Sequence, residues 1–247
     1  MNLAFFASVL PVIFLLVFVY RKDNLQPEPI RKLIGTFFIG CFCVVPAVVL
    51  ESAIQLFAPV ELVPAALYEG FAVAAFSEEL CKLLLLYLVV WRSRHFDEYF
   101  DGIVYAAFLS LGFACVENIG YVLMDPNAPM QTAFFRGLLA VPAHFLFAVM
   151  MGYHFSLAKF DFPHRRRHLF LAFFVPFFLH GTYDALLMVT DVFDGDEAPF
   201  IVGGLFLIFF VFDIMMWRWG LKRIKRLQER SKEQNFNSQN PFEGFKW

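Results

Sequence analysis

Charge is scarce in this sequence. Only 17% of its 247 residues are Asp, Glu, Lys or Arg, while 60% are hydrophobic and 35 are Phe. Soluble domains stay nearer half apolar, so the composition excludes an ordinary soluble fold and points to a polytopic membrane protein. Cysteine is sparse too. Cys41, Cys43, Cys81 and Cys115 form no CxxC pair and all lie in apolar runs, which argues against a disulfide framework or a zinc ribbon and for small buried hydrophobes. HExxH, the two-histidine helix of many zinc peptidases, is absent. The first apolar run, Leu3 to Tyr20, lacks a basic leader and a small-x-small cleavage site, and Arg21 and Lys22 come directly after it. It reads as a retained first helix, about 27 Å long, rather than a removed signal peptide. No repeat of about 20–50 residues is visible, and no nucleic-acid partner is expected.

What is present is a series of about seven apolar spans: Leu3–Tyr20, about Leu33 to Leu50, Ala65 to Trp91, Asp101 to just before Asp125, Thr132 to Leu157, Leu169 to Val189, and Phe200 to Trp219. Lys and Arg distribute among the loops with a strict bias. Arg21, Lys22, Arg31 and Lys32 come after span one, Arg92 and Arg94 after span three, Lys159 and Arg165–Arg167 after span five, and eight more run from Arg218, at the end of span seven, into the tail. The opposite loops carry acids such as Glu51, Glu61, Asp191, Asp194, Asp196 and Glu197. Of the 20 Lys and Arg, only Lys82 and Arg136 fall within spans. The expected fold is therefore an all-α, multi-pass helix bundle of the cell membrane, N-terminus outside and C-terminus cytoplasmic. Residues 1–219 form the membrane domain. In 220–247 a short basic helix (Leu221, Ile224, Leu227) is expected to lie on the anionic inner leaflet, with the polar sequence after Ser231 disordered.

Span three carries Glu78, Glu79 and Lys82 at its centre, where one charge costs on the order of 3 kcal/mol. Such residues mark a functional site by default. Glu117 and Asn118 lie in span four, Arg136 and His144 in span five, and His180 and Asp184 in span six. At ~1.5 Å per residue the depths of Glu78, Glu117, His144 and His180 agree within roughly two turns, so they can converge at or just outside mid-bilayer. Asp213 sits too low to join them. Glu78 and Lys82 are i,i+4 and can pair, as can His180 and Asp184, whereas Glu79 points about 100° away from Glu78 toward another neighbour. The bland readings are helix-to-helix hydrogen bonds for the histidines and for Glu117 with Asn118, a snorkelling Arg136, and an interfacial cap at Asp101. His154, His164 and His168 read as surface.

Together these residues resemble the PrsW family of intramembrane proteases, in the superfamily of CAAX prenyl endopeptidases and bacteriocin-processing proteins. The resemblance runs from Ser77-Glu78-Glu79-Leu80-Cys81-Lys82 through Asp101-Gly102-Ile103-Val104-Tyr105 and Gly112 to Asn118. It continues in Arg136 with Pro142-Ala143-His144 and ends in His180-Gly181-Thr182-Tyr183-Asp184, so that it covers about residues 65–187. It implies an endopeptidase acting on single-span or membrane-anchored proteins, with an anti-sigma factor cut on its extracytoplasmic side in the best-known setting. Glu78, Glu79, His144 and His180 would be catalytic: one glutamate polarises water while Lys82 fixes the other, and the histidines orient water or stabilise the oxyanion. Lys82, Glu117, Asn118, Arg136 and Asp184 would support them. Where the superfamily often has Asn after its last His this chain has Asp184, which suits orienting His180. No cofactor is required by this glutamate-water reading. The alternative is a divalent metal such as zinc on Glu78, Glu79, His144 and His180.

Other classes use similar residues. A transporter or proton channel also sets Glu, Lys and His at mid-membrane, but more often in Gly/Pro-broken helices of two related halves. A non-catalytic scaffold would have lost part of the set, which is complete here. Ser77 and Cys81 have no general base at an obvious spacing. A CAAX-type endopeptidase, acting on prenylated tails at the cytoplasmic face, fits an outward-leaning site less well.

Overall fold

The computed structural model describes residues 2–193 and 198–239. Asp194, Asp196 and Glu197 of the acidic loop, and the tail 240–247, lie outside the described residues. Among the described residues all regular elements are helical. In order they are α1 (Asn2–Lys22), α2 (Ile30–Gln55), α3 (Leu62–Tyr68), a π-helical segment (Glu69–Ala75), α4 (Phe76–Val90) and α5 (Asp101–Met124). Then come α6 (Pro129–Leu138), α7 (Ala140–Phe160), a single 3-10 turn (Phe162–His164), α8 (Arg165–Thr190) and α9 (Ala198–Gln239).

Among the described residues six stretches are long and apolar enough to cross a membrane: α1, α2, α5, α6 with α7, the 3-10 turn with α8, and α9. The third expected span is the exception. It is helical from Leu62 to Val90, but the π segment divides it, so that neither α3 nor α4 reaches spanning length alone. The fifth span is one apolar stretch in two helices, stepping at Leu139 (φ −115°). Pro142 accounts for the step, because it has no N–H for the Leu138 carbonyl and its ring crowds that group.

At the centre lies α5, whose residues from Asp101 through Cys115 are all buried; α7 is nearly as enclosed. A helix apolar on every side needs neighbours all round, and glycine lets them approach. A Cβ on Gly112 would stand 2.0 Å from the Phe37 carbonyl oxygen of α2, and one on Gly152 would stand 2.3 Å from that of Gly102. Backbones this close are how helices associate where lipid supplies no hydrophobic drive. Gly152→Leu should therefore cost at least about 3 kcal/mol, the upper end of ordinary overpacking, whereas Gly120→Leu, with nothing within 4 Å, should be neutral. Thermal unfolding in detergent tests the contrast; equal midpoints would contradict the crossing. On the outside, Phe6, Phe14, Phe42, Val49, Leu207 and Ile214 are exposed and apolar, as a lipid-facing surface requires. The cysteines are all free thiols, three of them buried.

The basic loops meet at one end. Lys159 Nζ donates to the Trp91 carbonyl at 2.6 Å, and Gln228 Nε2 to that of Lys22 at 2.7 Å. Ser231 Oγ accepts from the Phe100 N–H at 2.9 Å. The helix α9 thus runs unbroken past Ser231, where polarity alone gave no reason to expect order. Its Gly220, Ile224, Leu227 and Ser231 form one buried stripe at i,i+3/i+4 spacing. That stripe lies on the protein itself rather than on a lipid surface.

Candidate active site

The π segment precedes Ser77-Glu78-Glu79, and its last bond runs from the Phe76 N–H to the Phe71 carbonyl, five residues back. The extra residue in that turn rotates α4 relative to α3, a feature found often at functional sites. Two glycines press α8 against it. A Cβ on Gly181 would meet the Phe71 ring at 2.2 Å, and one on Gly70 would meet the Ala185 nitrogen at 2.8 Å. This close approach carries His180 to Glu79.

Lys82 is the hub. Its Nζ donates to Glu78 Oε2 at 2.9 Å and to Glu79 Oε1 at 2.8 Å, and lies 3.2 Å from His144 Nδ1. Spacing had sent Glu79 to a different neighbour; the long lysine stem reaches both carboxylates, and Glu79 gains His180 as well, Nδ1 to Oε1 at 3.0 Å. His180 Nε2 faces Asp184 Oδ2 at 3.1 Å. On the other side, His144 Nε2 meets Glu117 Oε2 at 2.7 Å, and Arg136 Nη2 donates to Glu117 Oε1 at 2.8 Å. Arg136 Nε donates to Asn118 Oδ1 at 3.2 Å, and Asn118 Nδ2 to the Ser8 carbonyl at 2.8 Å. An ammonium only donates, so His144 Nδ1 must accept, and its Nε2–H donates to Glu117. All nine residues singled out from the sequence thus form one connected network.

Its centre is dry. Glu79 is fully buried, and Glu78, Lys82, His144 and His180 are at most 6% exposed. Glu117, Arg136 and Asp184 at the rim have side chains 20% exposed. Arg136 does not snorkel freely; it stacks 3.7 Å over the Tyr121 ring. One donor atom each from Glu78, Glu79, His144 and His180 lie within 4.8 Å of one another. Asp213, His154, His164 and His168 stay outside the network, and Asp101 accepts from the Asp97 and Glu98 N–H groups at 3.0 and 2.7 Å, as a cap does. Ser77 Oγ is buried without a hydrogen-bond partner among the described residues, and no base among them activates it.

Two walls were missed in the sequence. The Phe113 ring lies 4.2 Å from Lys82 Nζ, and Phe147 stacks on the His180 ring with centroids 4.7 Å apart. Phe147 is i+3 from His144 and Phe113 is i−4 from Glu117, a spacing that could have flagged them. Among 35 Phe that signal does not discriminate.

The Glu117 carboxylate orients the His144 ring, and partners of this kind typically contribute about 10- to 100-fold to activity or metal affinity. Glu117→Gln should lower kcat by about that factor with KM little changed. A change confined to KM would mean that Glu117 contacts substrate instead.

The family described as PrsW family intramembrane metalloprotease matches residues 28–216. The chain is 32% identical to Protease PrsW of Clostridioides difficile (strain 630), over 95% of each chain. It is 35% identical to Protease PrsW of Geobacillus kaustophilus (strain HTA426), over 92% of this chain and 93% of that one. With Protease PrsW of Bacillus subtilis (strain 168) it shares 33% identity over 89% of this chain and 93% of that one. No solved structure matches it significantly.

Proposed function

This chain belongs to the PrsW family of intramembrane proteases, and on that premise we propose that Glu78, Glu79, His144 and His180 hydrolyse a peptide bond of a membrane-anchored protein inside the bilayer. The observation that carries the proposal is the convergence of two histidines and two glutamates in one buried centre, each imidazole backed by a further carboxylate, Glu117 or Asp184.

A metal fits these residues. Each histidine turns Nδ1 to the centre and Nε2 to a carboxylate, the pattern that orients imidazole ligands. Glu79 Oε2 is buried with no hydrogen-bond partner among the described residues. Glu79, His144 and His180 would hold the ion, with Glu78 beside it, and a zinc-like ion would supply polarisation of the peptide carbonyl and of water.

The protein's own groups divide the remaining work. Lys82 engages only Oε2 of Glu78, leaving Oε1 without a hydrogen bond among the described residues. Glu78 is thus the base: it takes the proton of the attacking water and returns it to the amide nitrogen as the C–N bond breaks. Glu79, buried and bonded to Lys82 and His180, holds both in place. The Lys82 ammonium, at the centre of the four side chains, supplies the positive charge that stabilises the oxyanion as it develops. Asp184 keeps His180 oriented.

The substrate we propose is a single-span anti-sigma factor cut on its extracytoplasmic side. The bundle's asymmetry supports this. Glu117 lies seven residues from the Met124 end of α5 and sixteen from Asp101 at the basic end, roughly 10 against 24 Å.

The experiment is cleavage of reporters carrying candidate single-span anti-sigma factors, in membranes holding wild type or His180→Ala, with and without a chelator. Cleavage by wild type alone is the expected result, and loss with chelator that returns on adding zinc assigns the metal. Cleavage undiminished by the chelator returns the mechanism to glutamate and water without an ion. Equal cleavage by both proteins overturns the site.

A further inference from the structure

We infer that the basic end of the bundle holds a hard divalent cation, Ca²⁺ or Mg²⁺, among Asp23, Glu28, Asp97, Glu98 and Asp101. These carboxylates come from the α1–α2 loop, the α4–α5 loop and the first residue of α5. One oxygen each from Asp23, Glu98 and Asp101 lie within 4.8 Å of one another, and so do those from Glu28, Asp97 and Asp101. Four of the five are buried, Asp101 completely, while Asp97 is exposed and opens the cluster to solvent.

Two observations point to a ligand rather than to a chance acidic patch. First, Oδ1 of Asp23 and Oδ1 of Asp101 are buried with no hydrogen-bond partner among the described residues, although the Oδ2 atoms of both are in use. Buried acceptors are rarely left so. Second, among the described residues none of the five carboxylates forms an ion pair with Lys, Arg or His, on the end of the molecule richest in basic residues. The phenol of Tyr105 already donates to Glu28, which leaves that carboxylate an acceptor. A donor set of oxygens alone, without Cys or His, selects a hard cation over zinc.

The same loops anchor the end of α9. Gln234 Nε2 donates to the Asp97 carbonyl at 2.7 Å, Asn235 Nδ2 to Glu98 Oε2 at 3.4 Å, and Ser231 accepts from Phe100. A bound cation therefore ties the α1–α2 and α4–α5 loops together and secures the docking of α9.

The test uses the full chain in nanodiscs at mildly alkaline pH. Terbium(III), a luminescent probe for oxygen-rich sites, is excited through tyrosine and displaced with Ca²⁺ or Mg²⁺. Trypsin cleavage after Arg230 and Lys232 is timed with either cation or with EDTA. Wild type should give a terbium signal that one of the two ions displaces, and slower cleavage with that ion than with EDTA. Asp23→Asn and Asp101→Asn should bind about 10-fold or more weakly, since ligand charge sets affinity, and should lose the cation's protection while resisting trypsin in EDTA at least as well as wild type. That last result separates a vacated cation site from a lost structural cap, which would speed cleavage under both conditions. If Asp101→Asn does not fold, Asp23→Asn decides. Terbium binding unchanged in Asp23→Asn, or cleavage indifferent to the cation in wild type, overturns the inference.

Discussion

Glu78→Gln should lose peptide-bond cleavage by about 100- to 10,000-fold, the range general acid–base catalysis contributes, while unfolding within a degree or two of wild type. The two neighbouring glutamates differ in what surrounds them. Glu78 is 6% exposed and meets Lys82 through one oxygen, so its amide keeps the shape and one acceptor but cannot take a proton. Glu79 is fully buried and ties Lys82 to His180 through a single oxygen. Glu79→Gln should therefore lose activity and stability together, since an amide there leaves Lys82 and His180 short of a charged partner. Turnover of a single-span reporter, read beside thermal unfolding of each purified variant, separates them. Should Glu78→Gln be inactive only because it is unfolded, or Glu79→Gln be active, the division of labour is wrong.

Lys82→Met is expected to be the most destabilising single change in the centre. It removes the one cation that touches both carboxylates in an enclosure of Phe113 and the two imidazoles. Breaking a buried ion pair from one side costs about 3–5 kcal/mol, because the charge left behind has neither water nor partner. Adding Glu79→Gln removes one of the stranded charges and should recover part of the loss, so the double variant should be more stable than Lys82→Met alone. Zinc should also raise the midpoint of Lys82→Met if Glu79, His144 and His180 hold a metal. A Lys82→Met protein that unfolds like wild type would falsify the view of Lys82 as the hub.

How far the sequence reached can be judged from particular residues. Intramembrane charge is so costly that Glu78, Glu79, Lys82, Glu117, Arg136, His144, His180 and Asp184 stood out against their apolar surroundings. The basic loops at one end could be read from the distribution of Lys and Arg. The phase of span three was not legible. A π segment is a change of one residue in hydrogen-bond register, and nothing in Glu69–Ala75 announces it. With it went the count of unbroken spans, and the docking of Glu79 against both Lys82 and His180. The end of α9 was misjudged for another reason: its stripe of Gly220, Ile224, Leu227 and Ser231 is sparse in apolar residues, and its partners are loop backbones far away in the chain.

That the polar residues suit hydrolysis came from the resemblance to the PrsW family; by itself, the sequence determined that the chain is a bundle of membrane helices and that those residues share a depth. These are properties of composition and of spacing along single helices, where ~1.5 Å and about 100° per residue suffice. Only the tertiary structure decided which atoms meet. Glycine contacts at Gly70, Gly112, Gly152 and Gly181 set the distances between helices, and those distances bring His144 to Lys82 and His180 to Glu79. The acidic cluster at the basic end was equally hidden, because Asp23 and Asp101 stand far apart in sequence and only the packing of α1, α2 and α5 brings their oxygens together.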